Sequence, residues 1–337
     1  MSEPEPLLWA AVLVAGCASL SAVLIFFLRP LLVQHLMAHP NARSSHKTPT
    51  PQGAGLAVML AVFAGIALAL LTAPPLGAPG LVPVLVVACG LTILGALDDW
   101  LTLPVSWRFA GQTLAAVALV LSLPQGFQIL PGLIPLALER ALIAFGIVWF
   151  INAVNFLDGL DWMTVVQVVP IALGIAILNA LGAVPATIGV LALALLGAML
   201  GFAVFNKHPA QIFLGDAGSL PIGLCLAFML IFVAGTHLAA ALLLALYTMA
   251  DSTLTLFRRM RAKEPILSAH RTHFYQRGVD KGLSVPQVTA RVLFLQMVLV
   301  GLAIATVLFP APLVALLCLA LGLLMTGLML HALAEGR

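Results

Sequence analysis

Eleven apolar stretches, each about as long as a helix that crosses a bilayer, follow one another along this chain. Hydrophobic residues make up 62% of the sequence and charged residues only 8%, whereas about a quarter of the residues in a soluble domain are charged. Such a chain cannot cover a water-facing surface, and the stretches lack the alternation of membrane barrel strands. We therefore expect an all-α polytopic membrane protein with about 10–11 transmembrane helices, forming a single domain over residues 1–337.

The predicted membrane helices are, in chain order, 7–28, 54–73, 80–97, 108–123, 138–155, 164–181, 184–205, 217–235, 237–257, 290–309 and 311–333. The first follows an acidic N-terminus and is longer than the apolar core of a signal peptide. We therefore expect it to be a membrane helix and not a cleaved signal.

Positively charged residues are distributed unevenly between the two sides of the membrane that these helices are predicted to cross. Thirteen of the 15 Lys and Arg residues lie in or beside the gaps that follow odd-numbered segments, and the even gaps hold only Arg140. The positive-inside rule then places the odd gaps in the cytoplasm and the N-terminus outside. The expected cytoplasmic loops are 29–53, 98–108, 156–163, 206–216 and 258–289, and the last is large enough for a small subdomain.

The polar clusters of the chain fall in these same gaps, so we expect them to converge on one face. Asp98-Asp99 ends an apolar run. Adjacent carboxylates at the C-terminal end of a helix repel each other and face the unfavourable end of the helix dipole. We therefore expect a cation or a positively charged group nearby; the alternative is a solvated helix terminus.

A second cluster reads Asn152-x-x-Asn155-x-x-Asp158-Gly159-x-Asp161. If the helix continues, Asn152, Asn155 and Asp158 lie along one of its faces. Hard oxygen ligands at this spacing suit Mg²⁺. The alternative is a helix C-terminus that is capped by polar side chains.

The third cluster is the loop from Asn206 to Ser219, which leads into an apolar segment. Glycines at a helix N-terminus allow close backbone approach, and the free N–H groups favour an anion such as phosphate. The alternative is plain N-capping by Asp216 or Ser219.

The last cluster, His270-Arg271-Thr272-His273-Phe274-Tyr275-Gln276-Arg277, lies in the largest polar gap. Arginine suits bidentate phosphate binding and histidine can transfer protons, although a basic loop can also contact anionic lipid headgroups. Asp251 precedes it near the end of an apolar segment. An acid in that position either has a functional role or pairs with Arg258 or Arg259.

Together the clusters resemble the polyprenyl-phosphate N-acetylhexosamine-1-phosphate transferase family. The matching motifs, in family order, are Ser45-His46-Lys47-x-Pro49-Thr50-Pro51-x-Gly53, Leu97-Asp98-Asp99, Asn152-x-x-Asn155-x-x-Asp158-Gly159-x-Asp161, Phe213-x-Gly215-Asp216-x-Gly218-Ser219 and Arg271-x-His273. Two departures matter. Trp162 stands where the family usually has glycine, so the local turn is expected to differ. The last loop lacks the histidine run of the muramoyl-pentapeptide branch, which argues against that substrate.

The resemblance implies transfer of N-acetylhexosamine 1-phosphate from a UDP-sugar to undecaprenyl phosphate, with release of UMP. This reaction would initiate lipid-linked cell-envelope polysaccharide, such as O-antigen, at the bacterial inner membrane. It implies Mg²⁺ as cofactor, with Mn²⁺ as a substitute, and membrane lipid as a partner. It implies no nucleic acid and leaves a homodimer open.

Roles for individual residues also follow from the resemblance. Metal ligands would be Asn155 and Asp216. Catalytic residues would be Asp98, as general base for the lipid phosphate, with Asp99, Asp158, Asp161 and His273. Substrate-binding residues would be Lys47, Asn152, Asn206, Arg271 and Arg277. Asp98 and Asp99 have the alternative role of holding a lysine or ordering the metal's waters.

Two other functions compete with the transferase: a transporter and a non-catalytic homologue. Transporters place ionisable groups near the bilayer midplane at broken helices, whereas these groups lie at predicted helix ends. The sequence therefore favours an enzyme.

The topology can be tested by labelling single cysteines introduced at Ser44, Gln211 and Thr272. We expect a membrane-impermeant maleimide to reach all three from the same side, because their gaps share the excess of Lys and Arg. Gln125, in an even gap, provides the control and should be labelled from the opposite side. Labelling of any of the three with the control would rule out a single shared site.

Overall fold

Helices account for nearly all of the regular structure in this computed structural model, which describes residues 6–38, 48–72, 81–265 and 270–336. The helices are α1 (Pro6–His35), α2 (Gly55–Thr72), α3 (Leu81–Leu101), α4 (Val105–Ser122), α5 (Leu136–Phe156), α6 (Met163–Ala180), α7 (Ala186–Asn206), α8 (Asp216–Arg261), α9 (Phe274–Asp280), α10 (Val285–Leu308) and α11 (Pro312–Glu335). Two short strands, β1 (Met37–Ala38) and β2 (Thr50–Pro51), pair antiparallel.

Ten of the described helices are long and apolar enough to cross a membrane, and α9 is not. Helix α8 has 46 residues and is roughly 69 Å long at 1.5 Å per residue, about twice the thickness of the hydrocarbon core. It breaks at His237 (φ −138°, ψ 70°). Both of its ends reach the end of α5, because Ser219 accepts from Asn155 and Ser252 donates to the carbonyl of Ala153. Helix α8 therefore doubles back and crosses twice, which confirms the polytopic all-α fold.

Several helices extend further than the sequence predicted. Helix α1 continues through Pro30 to His35, α3 includes Asp98 and Asp99, and α8 runs on to Arg261. Polar residues at a helix end lower local hydropathy without ending the helix, because long side chains can extend into the headgroup region. The predicted loops 29–53, 98–108 and 258–289 are correspondingly too long. The last of them contains α9 as its regular element.

Helices α7 and α8 form the centre of the bundle. Helix α7 packs on α1, α2 and α6, and α8 packs on α3, α5 and α10. At Gly95 the backbones of α3 and α8 nearly touch, since a Cβ there would collide with the carbonyl oxygen of Asp216. Small residues permit such close approach between membrane helices. This contact brings the end of α3 beside the first residue of α8.

The turn between α5 and α6 has an unusual residue at its last position. Trp162 has φ 64° and ψ −3°, a left-handed conformation that glycine adopts without strain. Its backbone N–H donates to Asn206 Oδ1 and its indole N–H to the carbonyl of Ala203, both at 2.7 Å. Contacts to Asn206 and Ala203 of α7 therefore hold Trp162 in this left-handed conformation.

We expect Trp162→Phe to lower the free energy of unfolding by about 1 kcal/mol, because the strain remains while the indole hydrogen bond is lost. The midpoint of thermal unfolding in detergent measures this. Trp100→Phe is the matched control, since Trp100 is 69% exposed, and it should leave the midpoint unchanged. Equal midpoints for both variants would show that the indole bond does not hold the turn.

Candidate active site

Four of the sequence motifs and the described part of the fifth meet at one end of the bundle, which we call the site end. Asp99 accepts from the backbone N–H of Asp216, and Asn155 donates to the Asp216 carboxylate. The hydroxyl of Tyr275 donates to the carbonyl of Phe156. The first motif joins them through β2, whose Pro51 carbonyl accepts from the N–H of Phe213 at 2.8 Å. The predicted convergence on one face is confirmed; Lys47 lies outside the described residues.

A cavity of about 920 Å³ opens among these motifs, near the upper end of the range for small-molecule sites. Six of the predicted site residues line it: Asp99, Asn155, Asp158, Asp161, Asn206 and Asp216. Polar and apolar surface contribute about equally to its wall. The cavity can therefore hold a ligand with both charged and neutral parts.

Asp99 caps the first turn of α8. Its Oδ1 accepts from the N–H of Asp216 at 2.9 Å and its Oδ2 from that of Ala217 at 3.1 Å. Gly215 precedes them with φ 75°, and a Cβ there would collide with the Asp99 carboxylate. The anion at this helix N-terminus is thus Asp99, in the place where the sequence suggested a phosphate, and neither Asp216 nor Ser219 is the N-cap. The helix dipole favours this arrangement.

Arg108 supplies the positive charge that the sequence required beside Asp98-Asp99. Its Nη1 lies 3.1 Å from Asp98 Oδ2 and 3.3 Å from Asp216 Oδ2. The other oxygen of Asp98 accepts from the N–H of Leu103 at 2.7 Å. The guanidinium therefore joins the end of α3 to the start of α8.

Asn155 and Asp216 lie side by side, as expected for two ligands of one metal. The Nδ2 of Asn155 donates to Asp216 Oδ1 and to the Ser219 hydroxyl, both at 2.8 Å. Both side chains line the cavity. Since Nδ2 makes these bonds, the carboxamide oxygen of Asn155 remains for another partner.

Asp158 lies in the turn that follows α5, because the helix ends at Phe156. Its backbone N–H donates to the carbonyl of Asn155 at 3.1 Å, and its carboxyl accepts from Thr164. Burial, reinforced by the nearby charges of Asp216 and Asp99, raises the pKa of Asp158 to about 7. This carboxyl therefore exchanges its proton near neutral pH.

Asn152 does not share the cavity with Asn155. Its Nδ2 donates to Gln112 Oε1 at 2.6 Å, toward α4. It lines a separate, almost wholly apolar groove of about 300 Å³ between α4, α5 and α8. The last two turns of α5 therefore present one carboxamide to the polar cavity and one to this groove.

Asp161 and Asn206 also line the cavity and connect two of the segments around it. Asp161 Oδ2 lies 2.6 Å from Nδ1 of His208 and accepts from the N–H of Ala210 at 3.0 Å. Asn206 is buried and accepts from the N–H of Trp162 while donating to the carbonyl of Ile212. Both residues thus connect the turn after α5 with the loop before α8, and Asn206 uses its polar atoms internally.

The two arginines of the last motif point away from the cavity. Arg271 pairs with Asp280 at 2.9 Å, and Arg277 donates to the carbonyl of Ala334 at 3.5 Å, toward α11. Neither lines the cavity, to which α9 contributes Gln276 and Val279 instead. The sequence cannot show which face of so short a helix points inward, which is why it did not place Arg277. The substrate-binding roles of Arg271 and Arg277 stay predictions.

His273 is buried under the same segment, with 2% of its surface exposed. Its Nδ1 lies 3.3 Å from Asp251 Oδ1. Arg258 donates to the carbonyl of Thr272 and Arg259 pairs with Glu264, whereas Asp251 accepts from the segment around His273. His273 therefore does not line the cavity, and it contributes to the site only indirectly, through its contact with Asp251.

His270 stacks on His273 with the ring centroids 4.9 Å apart. Burial, together with the nearby His273 ring and the charges of Arg259 and Arg258, lowers the pKa of His270 to about 4. The His270 ring is therefore neutral at physiological pH.

Sequence reasoning missed several residues of the site: Arg108, Gln112, Ser219, Tyr275 and Gln276. Arg108 left a signal, since it is the one basic residue in the gap after Asp98-Asp99. Gln112 is a polar residue in an otherwise apolar helix. The other three lie within motifs that were recognised, but nothing in sequence distinguishes an inward-facing polar residue from its neighbours.

The charges of the site fit a hard divalent cation. Asp98, Asp99, Asp158 and Asp216 lie close together, and Arg108 makes ion pairs with two of them, Asp98 and Asp216. Among the described residues, no three His, Cys, Asp or Glu side chains are arranged to hold a metal by themselves. Mg²⁺ takes only one or two carboxylates and completes its shell with water and phosphate, so Asp216 with the Asn155 carboxamide suffices.

The fold and the site define a polytopic helical membrane protein with a carboxylate-rich pocket at one end of its bundle. The profile of glycosyl transferase family 4 matches residues 81–234. The chain is 31% identical over 287 residues to decaprenyl-phosphate N-acetylglucosaminephosphotransferase of Mycobacterium leprae, covering 74% of this chain and 71% of that protein.

Two further relatives lie outside the mycobacteria. A Bacillus subtilis protein, named probable undecaprenyl-phosphate N-acetylglucosaminyl 1-phosphate transferase, is 27% identical over 73% of this chain and 70% of its own. The phospho-N-acetylmuramoyl-pentapeptide-transferase of Shouchella clausii is 31% identical over 62% and 69%. The chain belongs to glycosyl transferase family 4, the family of the polyprenyl-phosphate N-acetylhexosamine-1-phosphate transferases, which confirms the resemblance.

We expect Gly215→Ala to destabilise the protein by roughly 2 kcal/mol, because a Cβ there adds a collision with Asp99 to the cost of a positive φ. Gly126→Ala is the matched control: Gly126 has φ 79° but open space around it, so it should cost only about 1 kcal/mol. Thermal unfolding in detergent compares the two. Equal losses would mean that the Asp99 cap tolerates the added carbon.

Proposed function

We propose that this chain transfers N-acetylhexosamine 1-phosphate from a UDP-sugar to a polyprenyl phosphate and releases UMP. The proposal is supported above all by the end of α5, where Asn155 faces a polar cavity and Asn152 faces an apolar groove. A sugar nucleotide is polar and charged, and a polyprenyl chain is apolar. The two chemistries meet within one turn of one helix, as this reaction requires. The names of the relatives in glycosyl transferase family 4 support the same reaction.

In the proposed reaction a phosphate oxygen of the lipid attacks the β-phosphorus of the UDP-sugar. A new P–O bond forms to the lipid phosphate, and the bond from the β-phosphorus to the bridging oxygen breaks. UMP leaves with that oxygen and its electron pair, and the lipid keeps a diphosphate that carries the sugar. Phosphoryl transfer of this kind depends mainly on positioning and on neutralising charge.

The apolar groove suits the lipid chain. Phe109 of α4 and Phe145 and Trp149 of α5 form part of its wall. Phe145 is 65% exposed and Phe109 47%, so the groove is open toward the bilayer. A chain lying in it would bring its phosphate toward Asn152 and Phe156, next to Asn155.

A diphosphate cannot bind beside four carboxylates unless positive charge is present. Asp216 and Asn155 would hold Mg²⁺, or Mn²⁺ in its place, which when bound neutralises the diphosphate. Arg108 provides a fixed guanidinium that can donate two hydrogen bonds to phosphate oxygens. Asp98 and Asp216 hold that guanidinium at the junction of α3, α4 and α8.

The geometry around Asp98 favours a supporting role over that of a general base. Both of its oxygens already accept hydrogen bonds, from Leu103 N–H and from Arg108. A phosphate monoester has its second pKa near 6 and is largely a dianion at neutral pH. The lipid phosphate therefore needs no base, and Asp98 acts by orienting Arg108.

The setting in the cell follows from charge and from the last motif. The excess of Lys and Arg in the odd gaps favours a cytoplasmic site end in the bacterial inner membrane. The missing histidine run disfavours a muramoyl-pentapeptide and favours a simple UDP-N-acetylhexosamine. The product would start a lipid-linked cell-envelope polysaccharide of the O-antigen kind.

Purified protein in detergent should release UMP when undecaprenyl phosphate, Mg²⁺ and UDP-N-acetylglucosamine or UDP-N-acetylgalactosamine are present together. Omitting the lipid, or chelating the metal with EDTA, should abolish release. Asp216→Asn should reduce turnover by about 100-fold or more, because it removes a charged ligand opposite the diphosphate. A UMP-coupled assay measures each rate, and UDP-N-acetylmuramoyl-pentapeptide serves as the disfavoured substrate.

Glu335→Gln is the matched control, since it neutralises an exposed carboxylate at the end of α11 and should keep full turnover. No UMP with any sugar nucleotide, from protein that remains folded, would contradict the transferase and favour a non-catalytic homologue. Full turnover by Asp216→Asn at limiting Mg²⁺ would remove Asp216 from the metal site.

A further inference from the structure

Asp251 accepts more hydrogen bonds than any other described carboxylate, yet it does not line the cavity. It is fully buried in the second half of α8. Five donors surround its two oxygens: the hydroxyls of Tyr247 (3.2 Å) and Thr255 (3.4 Å), Nδ1 of His273 (3.3 Å), and the backbone N–H groups of Phe274 (3.0 Å) and Tyr275 (3.2 Å). A buried carboxylate is costly unless it is paired and hydrogen-bonded, so this arrangement calls for a reason.

The donors show what the carboxylate holds. Two of them are backbone N–H groups of the first turn of α9, and a third is the side chain of His273 just before it. Helix α9 has seven residues, and helices shorter than about 12 residues are marginal by themselves. Asp251 therefore fixes both the position and the direction of α9 on the bundle.

Helix α9 in turn contacts the wall of the cavity. The Tyr275 hydroxyl donates to the carbonyl of Phe156 at 3.0 Å, at the end of α5. Gly159 lies directly under that hydroxyl, where a Cβ would collide with it. Gln276, the next residue, lines the cavity itself. Contacts thus run without interruption from Asp251 to the turn that contains Asp158.

We infer that Asp251 is a positioning residue for the transferase: by anchoring α9 it sets the position of Gln276 and of the turn after α5 against the bound sugar nucleotide. The inference rests on the proposed function for its kinetic consequence, but not for its structural one. Arg108 and Asp216 lie on α4 and at the start of α8, whereas the anchored segment contacts the end of α5, beside Asn155. Loss of the anchor should therefore weaken binding of the sugar nucleotide more than the chemical step.

The test compares Asp251→Asn, Asp251→Glu and Tyr275→Phe with the control Thr255→Val. Asparagine has the shape of aspartate but turns an NH₂ group toward donors, whereas glutamate keeps both acceptor oxygens. Thr255→Val removes only the longest of the five bonds. Tyr275→Phe leaves the anchor intact and removes the link to Phe156.

We expect Asp251→Asn to raise the KM for the sugar nucleotide by about tenfold or more, with a smaller fall in kcat. Tyr275→Phe should change KM in the same direction by a smaller factor, Asp251→Glu should recover part of the loss, and Thr255→Val should match wild type. A wild-type KM for Asp251→Asn, or a fall in kcat alone, would overturn the inference.

Hydrogen exchange provides a readout that needs no turnover. In Asp251→Asn, amides of 273–280 and 157–162 should exchange faster, while those of α10 (285–308) keep wild-type protection. Tyr275→Phe should loosen 157–162 alone. Unchanged exchange, or faster exchange throughout the bundle, would reduce Asp251 to a packing residue. If wild-type protein releases no UMP, the proposed function fails while the exchange data still decide the role of Asp251.

Discussion

The bilayer excludes water from most of this chain, and the other features of the structure follow from that constraint. Backbone polar groups inside hydrocarbon must bond within their own segment, so the crossings are helices. Ionisable side chains are costly there, and they collect at helix ends. The connections that follow odd-numbered segments all lie at one end of the bundle. Helix α8 reverses its direction at His237, so both of its ends also lie there. The polar cavity lies where five such connections meet, so the topology alone brings the motifs together.

Electrostatics then orders the site. Four carboxylates at one helix-rich surface would repel one another, yet each has a defined partner. Asp99 meets the positive end of the α8 dipole through two backbone N–H groups, and Arg108 joins Asp98 to Asp216. Asp158 accepts from the hydroxyl of Thr164, and burial raises its pKa to about 7. Asp99 thus has a structural role, and Asp98 and Asp216 hold the guanidinium of Arg108. The four carboxylates carry more negative charge than Arg108 neutralises, and a divalent cation can balance the remainder.

Much of this could be predicted from the sequence, because the signals were local. Hydropathy located the crossings, and charge asymmetry together with gap parity predicted that Asp99, Asn155 and Asp216 would converge. The rest depends on which way a side chain points. Asn152 and Asn155 are three residues apart, yet a few tens of degrees around α5 separate the apolar groove from the polar cavity. Arg277 and Gln276 are adjacent, and only the docking of α9 decides which one lines the cavity.

That docking shows how a membrane enzyme can place a loop accurately without a soluble domain to support it. Helix α9 is too short to be stable alone. A buried carboxylate on α8 supplies the missing order, because its hydrogen bonds to backbone N–H groups are strong where water is scarce. Asp99 does the same for the start of α8. Two segments that border the cavity, α9 and the start of α8, are therefore each held by an aspartate that binds backbone N–H groups.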